Sequence, residues 1–229
     1  MNTLLANKPA KTIMGSLFTL CAASLAFSNP TTEPKKAKDQ QSAEPRHETA
    51  KVKPEVSSNP VVEIITSMGA ITVELNSKKA PISVDNFLSY VKDKHYNGTI
   101  FHRVISNFMI QGGGFAKGEV PAQKKSKAPI KNESKTSGLS NVRGTLSMAR
   151  KGDPDSATAQ FFINVLDNRN LDAGDGYAVF GKVISGMETV DKIREVKTGS
   201  VQMMATHGLS FMRNAPIEPV IIESISLKK

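Results

Sequence analysis

The sequence predicts a mainly β domain, an antiparallel barrel of about eight short strands with two helices. Two observations carry this. Apolar runs of strand length, rich in Val, Ile and Phe, recur between turns rich in Gly and Asn. Only two stretches show helical spacing, and they do not alternate regularly with the strands, which argues against a doubly wound parallel sheet.

In chain order, residues 61–66 and 70–75 are β-type runs joined at Ser67-Met68-Gly69, which reads as a hairpin. Apolar residues at 84, 87, 88 and 91 give a helix over 83–91, with Ser83 as its N-cap. Residues 99–104, 108–111, 144–149, 161–165 and 177–184 are short strands. A second amphipathic helix covers 186–193, and alternation over 219–227 gives a final strand. Residues 117–137, polar and Lys-rich, and residues 198–215 read as long loops, which in a compact domain are often functional.

The folded domain is therefore expected at 60–229, preceded by two segments of different composition. Residues 1–28 have the layout of a secretory signal peptide: Lys8 and Lys11, then an uncharged stretch from 13 to 27, then small residues around Ser24-Leu25-Ala26. A retained membrane anchor is the competing reading, but the apolar run falls short of the about 20 residues a spanning helix needs, so no stable span is expected after cleavage. Lipidation at Cys21 fits less well, because Leu20 precedes it. Residues 29–59 hold Pro30, Pro34, Pro45 and Pro54 and no Phe, Leu, Ile or Tyr, so the segment reads as a disordered linker that cannot offset its chain entropy by burial. A periplasmic or secreted location is therefore expected.

The formal net charge of +9 falls to +7 once Lys8 and Lys11 leave with the leader. This excess fits acidic partners or, more simply, a solvated basic surface; without a concentrated basic run or interleaved aromatics it does not point to nucleic acid. Cys21 is the only cysteine, so a mature chain has neither a disulfide framework nor a thiol nucleophile. No phosphate loop, dinucleotide fingerprint or GxSxG elbow occurs, and His47, His95, His102 and His207 lack metal-ligand spacing. No cofactor or metal is expected.

Two stretches remain. In residues 101–115 two strands meet at a tight Ser106-Asn107 turn, and alternation puts Phe101 and Arg103 on one face, although a barrel interior should exclude charge. Either Arg103 is a surface residue of an ordinary core hairpin, or it points outward beside an apolar surface made by Phe108 and Met109. In Gln160-Phe161-Phe162-Ile163 both faces of a strand carry bulk; the outward Phe suits a binding groove or packing under a loop.

These stretches, with residues 144–150 and 177–183, resemble the cyclophilin family of peptidyl-prolyl isomerases, and most of all its exported bacterial members, over residues 61–227. The resemblance implies a closed eight-stranded antiparallel barrel capped by two helices. It implies catalysis of cis/trans rotation about Xaa-Pro bonds, with unfolded or folding exported polypeptides as partners. Arg103 matches the family's catalytic arginine, and Gln111 the residue that holds a substrate carbonyl and positions that arginine. Phe108, Met109, Phe162 and Leu171 match the pocket for the proline ring. His102, Ala149, Arg150 and Gln160 match the groove for the flanking backbone, and Tyr177 stands where many relatives have His. Asn170 stands where many relatives have Trp, so weak cyclosporin binding is expected, and Arg150 stands where Asn is common. Residues 116–129 align poorly and supply no site residue. A non-catalytic proline-peptide-binding module or chaperone using the same groove is the alternative, and a monomer is the default expectation.

Overall fold

The computed structural model describes residues 59–228; the leader and, apart from Asn59, the linker fall outside the described residues. The first hairpin pairs β1 (Val61–Thr66) with β2 (Gly69–Leu75) in the register the alternation requires, Val62 opposite Val73 and Ile64 opposite Ile71, all buried. β3 (Thr99–Ile105), β4 (Met109–Ala116), β6 (Thr145–Met148), β7 (Phe161–Asn164), β8 (Val179–Ser185) and β11 (Ile221–Leu227) complete the barrel. Neighbours run in the order β4-β3-β11-β1-β2-β8-β6-β7, and a further β4–β7 pairing closes these eight antiparallel strands into a ring. Its interior is filled by apolar side chains around an aromatic cluster, in which Phe161 meets Phe87 at 5.5 Å and 87° and Phe101 at 6.4 Å and 81°.

α1 (Pro81–Lys92) buries Val84, Phe87, Tyr90 and Val91 and packs on β8 and β11; α3 (Met187–Arg194) buries Val190 and Ile193 and packs on β2, β3 and β4. Gly186 precedes α3 at φ +91, and a Cβ there would collide with the backbone of Ala70 and Ile71, so only glycine fits this start. The start of α1 differs from expectation. Pro81 occupies the first turn, and Ser83 lies inside the helix rather than capping it. The exposed N–H groups are met from far along the chain: the buried Glu133 carboxylate accepts from Ile82 N at 3.0 Å, Ser83 N at 2.8 Å and Ser83 Oγ at 2.6 Å. Negative charge at a helix N-terminus is favourable, and Glu133 acts as a cap supplied in trans. Glu133→Ala is expected to lower unfolding free energy by about 1–2 kcal/mol, the size of a lost cap, with Glu133→Gln losing less; urea titration measures both.

The two long loops are also structured. Residues 117–137 contain a short strand β5 (Ala122–Gln123) and a single helical turn α2 (Ser134–Ser137). Residues 198–215 form a hairpin, β9 (Thr198–Ala205) with β10 (Gly208–Pro216). β9, β10 and β5 extend the sheet outside the ring, through β5 to β4. The hairpin makes a second small core in which Met203 and Ala215 pack with Ile100 and Phe115. The outer face of β3 is thus covered, which explains why this strand is apolar on both sides.

Candidate active site

The tension between Phe101 and Arg103 is resolved by a register shift in β3. Phe101 pairs with Gly112 but Arg103 pairs with Gln111, so two steps along β3 match one along β4. A bulge of this kind re-aims the side chains beyond it. Phe101 and Val104 both face the barrel core, and Arg103 is turned out between them, half-buried. Across the next pairing Gln111 faces Phe162, so Arg103, Gln111 and Phe162 form one row over β3, β4 and β7 on the barrel's outer surface.

This row floors a cavity of about 110 Å³ lined by the expected residues Arg103, Phe108, Met109, Gln111, Ala149, Arg150, Phe162, Leu171 and Tyr177. Its base is apolar and its rim polar. Arg103 Nη1 donates to Gln111 Oε1 at 3.4 Å, and Gln111 Nε2 donates to Gln160 Oε1 at 2.9 Å. Gln160 lies outside the small cavity and lines a larger depression of about 610 Å³ that shares Gln111, Ala149 and Arg150 with it. Gly114 leaves room for Gln160: a Cβ there would lie 2.5 Å from its Nε2. On the far rim the Arg150 guanidinium stacks 4.5 Å from the centre of the Tyr177 ring and donates to Gly176 O at 3.0 Å. Tyr177 in turn meets Phe162 edge-on at 5.8 Å.

His102 is the exception among the expected residues. It lies on the covered face of β3, 1% exposed, its ring 4.8 Å from Phe115, and lines neither cavity. It touches the site only from behind, through Gln160. Burial, with Arg103 adding like charge, holds its pKa down to about 4, so the ring is neutral near pH 7. Among the described residues its Nδ1 has no hydrogen-bond partner.

The sequence reading did not single out the asparagines beneath the pocket. Asn168 Nδ2 donates to Phe108 O at 2.6 Å and to Asn164 Oδ1 at 2.7 Å. Asn164 Nδ2 donates to Asn141 Oδ1 at 3.1 Å, and Asn141 Nδ2 donates to Tyr177 O at 3.0 Å and Asp172 Oδ1 at 2.8 Å. One buried network therefore fixes the backbone on which Phe108, Leu171 and Tyr177 stand. Asparagine outside a turn signal, as at Asn164 within a strand, was the available clue.

Comparison with known proteins agrees with this geometry. Residues 61–227 match the family model described as cyclophilin type peptidyl-prolyl cis-trans isomerase/CLD. The chain is 55% identical over 174 residues to a peptidyl-prolyl cis-trans isomerase of Acinetobacter baylyi, covering 75% of this chain and 87% of that one. It is 49% identical over 175 residues to peptidyl-prolyl cis-trans isomerase B of Escherichia coli, covering 74% of this chain and 100% of the relative. Among solved structures, a cyclophilin type isomerase of Cryptosporidium parvum, crystallised in the presence of the dipeptide Ala-Pro, aligns with a TM-score of 0.59 at 29% identity, over 74% of this chain and 99% of that one.

Proposed function

The chain belongs to the cyclophilin-type peptidyl-prolyl cis-trans isomerase family, and from that premise we propose that the cavity on β3, β4 and β7 is where it rotates Xaa-Pro bonds. The observation that carries the proposal is a guanidinium, Arg103, at the rim of a small apolar cavity lined by Phe108, Met109, Phe162 and Leu171. Rotation about the prolyl amide is slow because conjugation must be broken, at about 18–20 kcal/mol. No covalent bond changes, so the catalyst needs no nucleophile; it must bind the twisted amide better than either planar form. The apolar floor takes the proline ring. Gln111 holds the preceding carbonyl as it swings. The twisted nitrogen regains a lone pair, and Arg103, always charged and rigid in its donor geometry, donates to it. Gln160, Ala149 and Arg150 receive the flanking backbone; His102 contributes by backing Gln160 rather than by touching substrate.

The assay is acceleration of cis-to-trans exchange in an Ala-Pro peptide, which otherwise takes tens to hundreds of seconds. Peptide binding without acceleration would favour a non-catalytic binding module instead. We further propose that the protein is exported by its leader, acts as a monomer on folding polypeptides, and binds cyclosporin weakly because the exposed Asn170 replaces a stacking aromatic beside Leu171. Among the described residues no helix is long and apolar enough to cross a membrane.

A further inference from the structure

The large depression beside the proline pocket is lined by Lys124, Lys125, Arg150 and Lys151, and by no Asp or Glu. Among the described residues none of the four pairs with a carboxylate. Lys124 Nζ donates to the carbonyl of His95, and Arg150 is engaged by carbonyls and the Tyr177 ring. The contrast with the adjoining segment is direct: Lys127 pairs with Asp93 at 2.6 Å, and Lys131 pairs with Asp155 at 2.7 Å. Lys127 and Lys131 are thus neutralised by carboxylates, whereas the four cations facing the depression are not.

The depression shares Gln111, Ala149 and Arg150 with the proline pocket, so the two are one continuous groove. A peptide with its proline in the small cavity must lay one flank across the cationic one. We propose that this depression selects Xaa-Pro substrates with acidic side chains within a few residues of the proline. The inference rests on the isomerase reading above and adds a substrate class to it. A concave surface of one charge sign focuses its field on a ligand of the opposite sign, and the effect weakens as salt is raised.

The test uses the full chain and a protease-free exchange measurement by NMR on two sets of three peptides, each with one Ala-Pro bond. They differ only in Glu, Gln or Lys at positions two to four residues from the proline, placed before it in one set and after it in another. In at least one set kcat/KM should fall in the order Glu, Gln, Lys, with roughly five-fold between Glu and Gln at low salt and a smaller ratio at 0.5 M salt, as order-of-magnitude values for a few partly exposed charge pairs. In the double variant Lys125→Glu/Lys151→Glu the Glu-to-Lys ratio should collapse or invert. Equal rates for all three peptides in both sets, with the Gln peptide turned over normally, would overturn the charge preference and leave the isomerase assignment standing. No turnover of any peptide would remove that assignment, and the inference with it. A ratio indifferent to the double variant would also overturn it, since the preference would then arise elsewhere.

Discussion

Arg103→Ala should lower kcat/KM on an Ala-Pro peptide by roughly 10²–10³-fold, the loss expected when one preorganised transition-state donor is removed, equivalent to about 2.7–4 kcal/mol. The size follows from what the guanidinium is asked to do. In the planar amide the prolyl nitrogen has no available lone pair, and a donor aimed at it gains little. In the twisted state the lone pair appears and the same donor gains a charge-assisted hydrogen bond. The effect should therefore fall on kcat, with KM changing less. The fold should tolerate the change. Arg103 is half-buried and its hydrogen bond among the described residues runs to Gln111 at 3.4 Å, so stability should move by no more than about 0.5 kcal/mol. Arg103→Lys keeps the charge but loses the fork, and should recover only part of the rate. An Arg103→Ala protein with native urea stability and undiminished kcat/KM would remove Arg103 from the mechanism.

How much of this was legible in the sequence depends on the range of the interaction. The alternation that buries Val62, Ile64, Ile71 and Val73 is written locally and gave the first hairpin correctly. The helical spacing of Val84, Phe87 and Val91 did the same for α1. What failed was decided at a distance. Ser83 has the chemistry of a cap, but Glu133, fifty positions away, supplies it, and no local pattern records that. The β9–β10 hairpin read as a loop because its outward face is exposed and only Met203, Ala215 and Pro216 are buried there, too few for a strand signal. Nine of the eleven expected site residues line the small cavity and Gln160 lines its neighbour. Those positions came from the family resemblance; residue alternation alone left Arg103 ambiguous, because the bulge that turns it outward is invisible without the register. His102 lines neither cavity for a related reason, since the side of β3 that it occupies is covered by a hairpin the sequence did not reveal.

The burial of His102 makes stability depend on pH. A histidine buried neutral resists protonation in the fold but not in the unfolded chain: its pKa is about 4 folded and 6.5 unfolded. Between those values the unfolded state binds more protons, so stability must fall as pH is lowered. The contribution is fully present above about pH 6.5 and is lost as pH falls toward 4. The gap corresponds to roughly 3 kcal/mol, most of which should be gone by pH 4.5. His95, whose pKa burial also lowers, pulls in the same direction, while Asp93, Asp155 and Asp191, held below 3.8 by their cationic partners, lose their contribution only at lower pH. The comparison that isolates His102 is therefore wild type against His102→Gln, by urea unfolding at pH 7.5 and 4.5. Wild type should lose roughly 2–3 kcal/mol more between these pH values than the variant does. Equal losses would mean that the ring is already charged inside the fold, or that it finds a partner for its proton there, and the burial argument for its displacement from the groove would fail.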